Sequence, residues 1–389
     1  MKRLMLPITV LLSICLLLLA LLPGILERSM NQVQPGAEPL VTDAARALHQ
    51  TLLIGDLHTD STLWHRDLRK ASSRGHVDLP RLVDGNVALQ VFTSVTKSPA
   101  GQNYEQNASD ARDNITLLAL AQRWPPATWS SLTERALYQA QKLHTIASSN
   151  PDQLQLVRNQ AELANLLRRR ENGETVVGAV IGTEGAHALD GDLANIDRLY
   201  AAGLRIIGLQ HFFDNKLGGS LHGESGTGLT AFGRMAVDRM LAAGMIIDVA
   251  HSSETVVREV LARTQRPVIV SHSGFQGHCQ TPRNISDETM QAIASAGGLV
   301  GVGYWDAAVC DTSVSAIVDA IRYGIDLLGE DHVALGSDYD GTITTPFDTS
   351  KLLLLTAQML AQGFSETEIR KVMGLNMINL LAANLPQAN

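Results

Sequence analysis

Cysteine is scarce: 3 in 389 residues, too few for a disulfide-built scaffold or a four-cysteine zinc module. Consecutive basic residues go no further than Arg168-Arg169-Arg170. With 39 acidic against 31 basic side chains the formal charge is −8, which argues against nucleic-acid binding through a basic surface. The 32 glycines and 13 prolines follow no short period, so collagen-like and low-complexity arrays are excluded. Disorder is excluded too, because 45% of residues are hydrophobic and a chain of that content can bury a core.

One long apolar run is present. Met1-Lys2-Arg3 supplies a positive start, and Leu4 to Leu26 is an uncharged stretch of 23 residues. About 20 apolar residues span a bilayer core, and no A-x-A site follows. Residues 1–30 are therefore expected to be a signal sequence or transmembrane anchor. An uncleaved hydrophobic helix is favoured, with Lys2 and Arg3 in the cytoplasm. The body would then lie outside the cytoplasm, or be secreted if the segment is cleaved. Residues 31–45 read as a linker, and 46–385 as one catalytic domain. Export leaves Cys279 and Cys310 in an oxidising compartment, where they either pair or serve as small buried hydrophobes.

From about residue 50 the chain alternates strand and helix. The strand candidates are Leu52–Leu57, Val87–Ser94, Val176–Ile181, Arg205–Leu209, Met245–Val249, Pro267–Ser271, Leu299–Tyr304 and Val333–Ser337. Most are continuous apolar runs, as parallel strands covered on both faces require. Helices are predicted over Leu193–Ala202, Ala231–Ala243, Ser313–Leu328 and Ser365–Leu381, and after Ser286. Eight such strands predict an α/β fold, a (β/α)8 TIM barrel. A doubly wound sheet would carry a glycine-rich phosphate turn after its first strand, and that strand here ends in DLHTD. Residues 96–174 are too long for one crossover, and Trp124-Pro-Pro breaks their helical pattern, so several helices are expected beside the barrel mouth.

The 12 histidines are informative through their placement. His58 and Asp60 follow the first strand, Glu184 the third and His211 the fourth. His251 ends the fifth, His272 the sixth, and Asp338 and Asp340 the eighth. A barrel opens all strand C-termini onto one face, so these groups should converge. Imidazole and carboxylate without cysteine suits Zn2+, with Mn2+ or Co2+ as alternatives. More than four donors favours two ions sharing a bridging carboxylate, and Glu184 is the only glutamate in the middle of the set. His49, His65, His144 and His332 read as surface or helix-start residues. His76, His187, His222 and His278 lie near mouth loops.

The ordered segments DLHTD (56–60), GHVDLPRLVDGNVALQ (75–90), GTEGAHAL (182–189), LQH (209–211), GLTAFGRMAVDRMLAAGMIIDVAHSS (228–253), PVIVSHS (267–273), RNISDE (283–288) and GSDYDG (336–341) resemble the membrane dipeptidase family, metallopeptidase family M19. The resemblance runs from about residue 50 to 382. It implies a (β/α)8 barrel with two Zn2+ that hydrolyses dipeptides with a metal-activated water. It also implies that His58 and Asp60 hold the first ion, that His251 and His272 hold the second, and that Glu184 bridges them. By the same resemblance His211 binds substrate near the scissile carbonyl, Arg283 holds the substrate carboxylate, and Asp338 is the catalytic acid. Cys279 and Cys310 match a cystine of exported animal members. One fixed arginine close to the metals would act as a ruler for two-residue substrates, with a D-residue tolerated at the C-terminal position. The loops TSVTKSPAGQN and FFDNKLGGS depart from the family pattern beside the pocket. An amidohydrolase acting on N-acyl amino acids or lactam amides, and a metal-free binding protein on the same barrel, are the alternatives. The expected partners are a dipeptide, a membrane through the N-terminal segment and no nucleic acid; a homodimer is left open.

Overall fold

The computed structural model describes residues 21–387. Eight parallel strands form the core: β1 (Ile54–Thr59), β2 (Val87–Phe92), β3 (Val177–Thr183), β4 (Leu204–Gly208), β5 (Ile246–Asp248), β6 (Ile269–Ser273), β7 (Leu299–Val302) and β8 (Val333–Leu335). Each pairs with the next, and β8 pairs with β1 through Leu335 and Asp56, which closes the barrel. All eight predicted strands form, with ends displaced by no more than two residues. A short strand, Leu154–Leu156, was not expected; it adds to the outside of β3.

The strands form because β-branched and leucine side chains fill both faces. Leu57, Leu89, Val91, Val180, Ile206, Ile246, Ile269 and Leu299 cluster as one apolar layer with Met377, Ile378 and Leu381 from the C-terminal helix, Asn376–Asn384. The other strand residues pack outward against the surrounding helices. Beyond the inner layer, at the strand C-termini, the barrel lining turns polar, and this change of lining creates the site.

The connecting helices start where their caps predict. Ser286 accepts from Thr289 N, Ser313 from Ala316 N and Ser365 from Glu368 N, each satisfying a helix-start N–H. The insertion between β2 and β3 carries helices Asn114–Ala121, Leu132–Ser149 and Gln160–Glu171, with a 3-10 turn at Pro126–Trp129 where Trp124-Pro-Pro stops the helical run. One prediction needs correction. Ser365–Leu381 is not a single helix, because a π turn over Lys371–Leu375 divides it. A Cβ on Gly374 would lie 2.0 Å from Leu53 O, so the chain touches the foot of β1 there and is displaced from a regular helical path.

The apolar run Leu4 to Leu26 lies mostly outside the described residues. Among the described residues no helix is long and apolar enough to cross a membrane. Residues 21–30 are helical, and the stretch read as a linker is partly built into the fold. Gln32–Val33 pairs in parallel with Thr344–Thr345, and Asn31 Oδ1 accepts from Thr342 N at 2.8 Å. Glu27 is buried against Arg66, which also pairs with Asp340. A segment with few apolar residues is held here by backbone pairing and one buried ion-pair chain.

Candidate metal centre

The centre is assembled from strand ends. In β1 the pairing register to β2 shifts between Asp56 and Thr59, and in β6 the register to β7 shifts between Val270 and Ser273. Such irregularities re-aim side chains at a barrel rim. Asp56 stays in the wall, where its Oδ1 accepts from His58 N at 3.0 Å, while His58 turns inward. The Glu184 carboxylate, 4% exposed, lies at the middle of the cluster. His251 Nε2 is 3.0 Å and His272 Nε2 3.2 Å from Glu184 Oε1, and the two ring nitrogens are 3.0 Å apart. His211 Nε2 is 3.0 Å from Glu184 Oε2. His58 Nε2 is 3.5 Å from Asp60 Oδ1, and 3.8 Å from both Glu184 Oε1 and Asp338 Oδ1.

The donor set fits divalent cations. Two buried imidazole nitrogens facing each other at 3.0 Å and one carboxylate oxygen cannot all be satisfied by the hydrogens available to neutral rings. Among the described residues three sets of donor atoms each lie within 4.8 Å of one another: His58, Asp60 and Glu184; His58, His272 and Asp338; and Glu184, His211 and His251. Burial, then Arg283, holds His251 well below its ordinary pKa; burial, then His58, does the same for His272. Burial opposes charge on His58, but Asp60, Glu184 and Asp338 raise it to about 10. Burial likewise works against His211, and the Glu184 carboxylate outweighs it and raises the ring above its ordinary value. Burial of Asp338, with Asp60 and Glu184 beside it, lifts that carboxyl well above the usual range despite the pull of His58 and Arg283.

Arg283 is 1% exposed. Its Nη2 donates to His272 O at 2.7 Å and lies 3.5 Å from His251 Nε2; its Nη1 donates to Ala250 O at 3.1 Å. The guanidinium therefore sits directly beside the histidine pair. The seven expected site residues other than His58 line one cleft. Leu63, Val95, Ile115, Tyr104 and Phe212 form its apolar side. Tyr104, which follows the first divergent loop, and Phe212, in the second, meet there with tilted rings 5.6 Å between centroids, and His222 Nδ1 lies 2.8 Å from Tyr104 O. Cys279 and Cys310 form a disulfide, with Cα atoms 5.6 Å apart.

Several groups fall outside the centre. Asp340, alike in type and position to Asp338, accepts from Ser61 Oγ at 2.5 Å and from His76 N at 2.6 Å, and is neutralised by Arg66. His49 is buried rather than a surface residue, because Thr356 Oγ1 meets its Nδ1 at 2.9 Å within the helix layer. Three residues escaped the sequence reading. Thr93 Oγ1 donates to Asp60 Oδ1 at 2.6 Å, and Ser271 and Asp248 lie behind the histidines. Their only signal was proximity to ligand-type residues at strand ends.

A model of the family described as membrane dipeptidase (peptidase family M19) matches residues 42–386. Dipeptidase ataJ of Aspergillus terreus is 27% identical over 352 residues, covering 82% of this chain and 80% of its own. Dipeptidase 3 of Mus musculus is 27% identical over 376 residues, covering 88% and 67%. A metallo peptidase from Rhodobacter sphaeroides, liganded with a phosphinate mimic of L-Ala-D-Ala, superposes with TM-score 0.66 at 23% identity over 86% of this chain and 99% of that one.

Proposed function

The chain belongs to the membrane dipeptidase family, peptidase family M19, and we propose that it is a two-zinc dipeptidase whose ligands are His58, Asp60, Glu184, His251 and His272. As a family member it is a metal-dependent hydrolase of dipeptides. The observation that supports the ligand assignment is the convergence of the His251, His272 and His58 Nε2 atoms on Glu184 Oε1 at 3.0, 3.2 and 3.8 Å, with Asp60 Oδ1 3.5 Å from His58 Nε2. Glu184 is the bridge because both groups reach it.

Divalent ions held there would supply Lewis acidity, activating a water and polarising the scissile carbonyl. The chain's own residues handle charge and protons. Arg283 binds the C-terminal carboxylate of the substrate, and its place beside His251 sets a length of two residues. His211 donates from Nε2 toward the developing oxyanion, while the Lys97 carbonyl, 3.2 Å from Nδ1, fixes the ring. Asp338 takes a proton from the attacking water and delivers it to the leaving amine, a role suited to a carboxyl raised by its surroundings. Tyr104, Phe212, Leu63 and Val95 receive an apolar side chain. Tolerance of a D-residue at the C-terminal position is supported by the L-Ala-D-Ala mimic bound to the R. sphaeroides protein. Export and anchoring through Leu4 to Leu26 are supported by the length of that run and by the disulfide.

The test is a metal analysis of the full chain in detergent, together with rates on L-Xaa-L-Xaa and L-Xaa-D-Xaa dipeptides and on N-acyl amino acids. Two zinc per chain and dipeptide turnover abolished by Glu184→Ala are expected. A single ion, or faster turnover of N-acyl amino acids, would overturn the assignment.

A further inference from the structure

Behind the ligands lies a hydrogen-bond chain that touches both groups. Asp248 ends β5 and Ser271 lies in β6; they are 3% and 0% exposed. Asp248 Oδ1 accepts from Ala250 N and from Ser271 N, each at 3.0 Å. Its Oδ2 accepts from Ser271 Oγ at 2.6 Å. The serine oxygen is also 3.0 Å from His58 Nδ1 and 2.8 Å from His272 Nδ1. The register break in β6 allows this, because consecutive residues Ser271 and His272 both reach the cluster instead of alternating across the sheet.

Counting protons fixes the direction of every link. A serine hydroxyl has one hydrogen and two lone pairs. Every other partner of the Asp248 carboxylate is a donor, so the hydroxyl hydrogen goes to Oδ2. Only lone pairs then remain for the two rings. His58 and His272 must each present N–H at Nδ1, which leaves each Nε2 as the atom facing the carboxylate cluster. We propose that Ser271, oriented by Asp248, is a shared positioning residue that sets the ring nitrogen offered by one histidine of each metal group. The inference rests on the two-ion reading above. It makes the two sites dependent on a single hydroxyl, through contacts 2.6–3.0 Å long. His251 differs, since its Nδ1 is buried with no partner.

The test is zinc titration of the full chain against a chromogenic chelator, for wild type, Ser271→Ala, Ser271→Thr and Asp248→Asn, with Asp60→Asn as a one-site reference. Loss of an outer hydrogen-bond partner typically weakens metal binding about 10–100-fold. Ser271→Ala is expected to weaken both sites together by that factor, Ser271→Thr to restore them, and Asp60→Asn to weaken one. Asp248→Asn keeps the volume but can place an N–H opposite Ser271 Oγ. That reverses the chain and should weaken binding as alanine does. Independently of any variant, nitrogen NMR of wild type labelled at histidine should show a proton on Nδ1 of both His58 and His272. Wild-type affinity at both sites in Ser271→Ala, loss at only one, or a bare Nδ1 on either ring overturns the proposal. Fewer than two zinc ions in wild type overturns the two-ion reading itself, and that is read before any variant is compared.

Discussion

Asp338 and Asp340 share a residue type, a strand end and a spacing of two. Only Asp338 faces the centre, because the loop runs through left-handed conformations at Asp338, Asp340 and Thr342 (φ 56°, 65° and 66°). Non-glycine residues at such angles are uncommon and gather at functional loops. Asp338→Asn preserves the shape and removes the proposed proton acceptor. Its kcat is expected to fall by about 10²–10⁴-fold with zinc content and KM little changed; a variant retaining most of its kcat removes Asp338 from the proton path. His49 concerns stability instead. Burial, against a contact from the Gly85 backbone, lowers its pKa to about 4 from 6.5. Above pH 6.5 the ring is neutral folded and unfolded alike. Between pH 6.5 and 4 only the unfolded chain takes up the proton, so stability is lost as pH falls. The full effect is about 3 kcal/mol. Urea melts from pH 7 to 4 should show a shallower loss for His49→Gln than for wild type. Parallel curves would mean that the buried ring is not the group responsible.

Elements held by pattern were legible, and elements held by distant partners were not. Ser286, Ser313 and Ser365 announced their helices, since a cap is a local hydrogen bond. The break at Gly374 depends on Leu53, more than 300 residues away in sequence, and no local pattern encodes it. The N-terminal segment is the same case. Glu27 reads as a polar residue after a greasy run, yet it is buried against Arg66, which joins it to Asp340 in the loop that carries Asp338. A chain lacking residues 1–20 keeps Glu27 and the Gln32–Val33 pairing and serves as the reference. Removal through residue 34 also deletes the Gln32–Val33 pairing and leaves Arg66 short of one carboxylate. Breaking a buried ion pair from one side costs about 3–5 kcal/mol, and the remaining Asp340 contact places the expected loss at the lower end. Thermal melts of the two truncations, with Glu27→Gln in the full chain, measure it. Equal midpoints for all of them would show the segment to be merely resting on the barrel.

For the whole molecule, the barrel was legible because eight apolar runs each end in polar residues, and a closed parallel sheet turns that pattern into an apolar interior with one reactive rim. The relative depth of the rim residues was not legible, because it follows from register shifts in β1 and β6. The rim is also tied covalently. Cys279 and Cys310, separated by 31 residues, join the loop after β6 to the loop after β7. Arg283 lies just beyond Cys279, and Asn284 Nδ2 donates across the same junction to Cys279 O at 2.8 Å and Ala308 O at 2.9 Å. Closing a loop of that length removes unfolded-state entropy equivalent to roughly 3–4 kcal/mol. Cys279→Ala with Cys310→Ala should accordingly lower the melting midpoint by about 5 °C. The kinetic effect should be selective. The proposed metal ligands are set by β1, β3, β5 and β6 and should keep their ions. The loop carrying Arg283 loses its tie, so KM for dipeptides should rise more than kcat falls. Calorimetry, metal analysis and steady-state rates on the double variant decide it. An unchanged KM would mean that Arg283 is positioned wholly by its carbonyl contacts at Ala250 and His272 and that the cross-link serves stability alone.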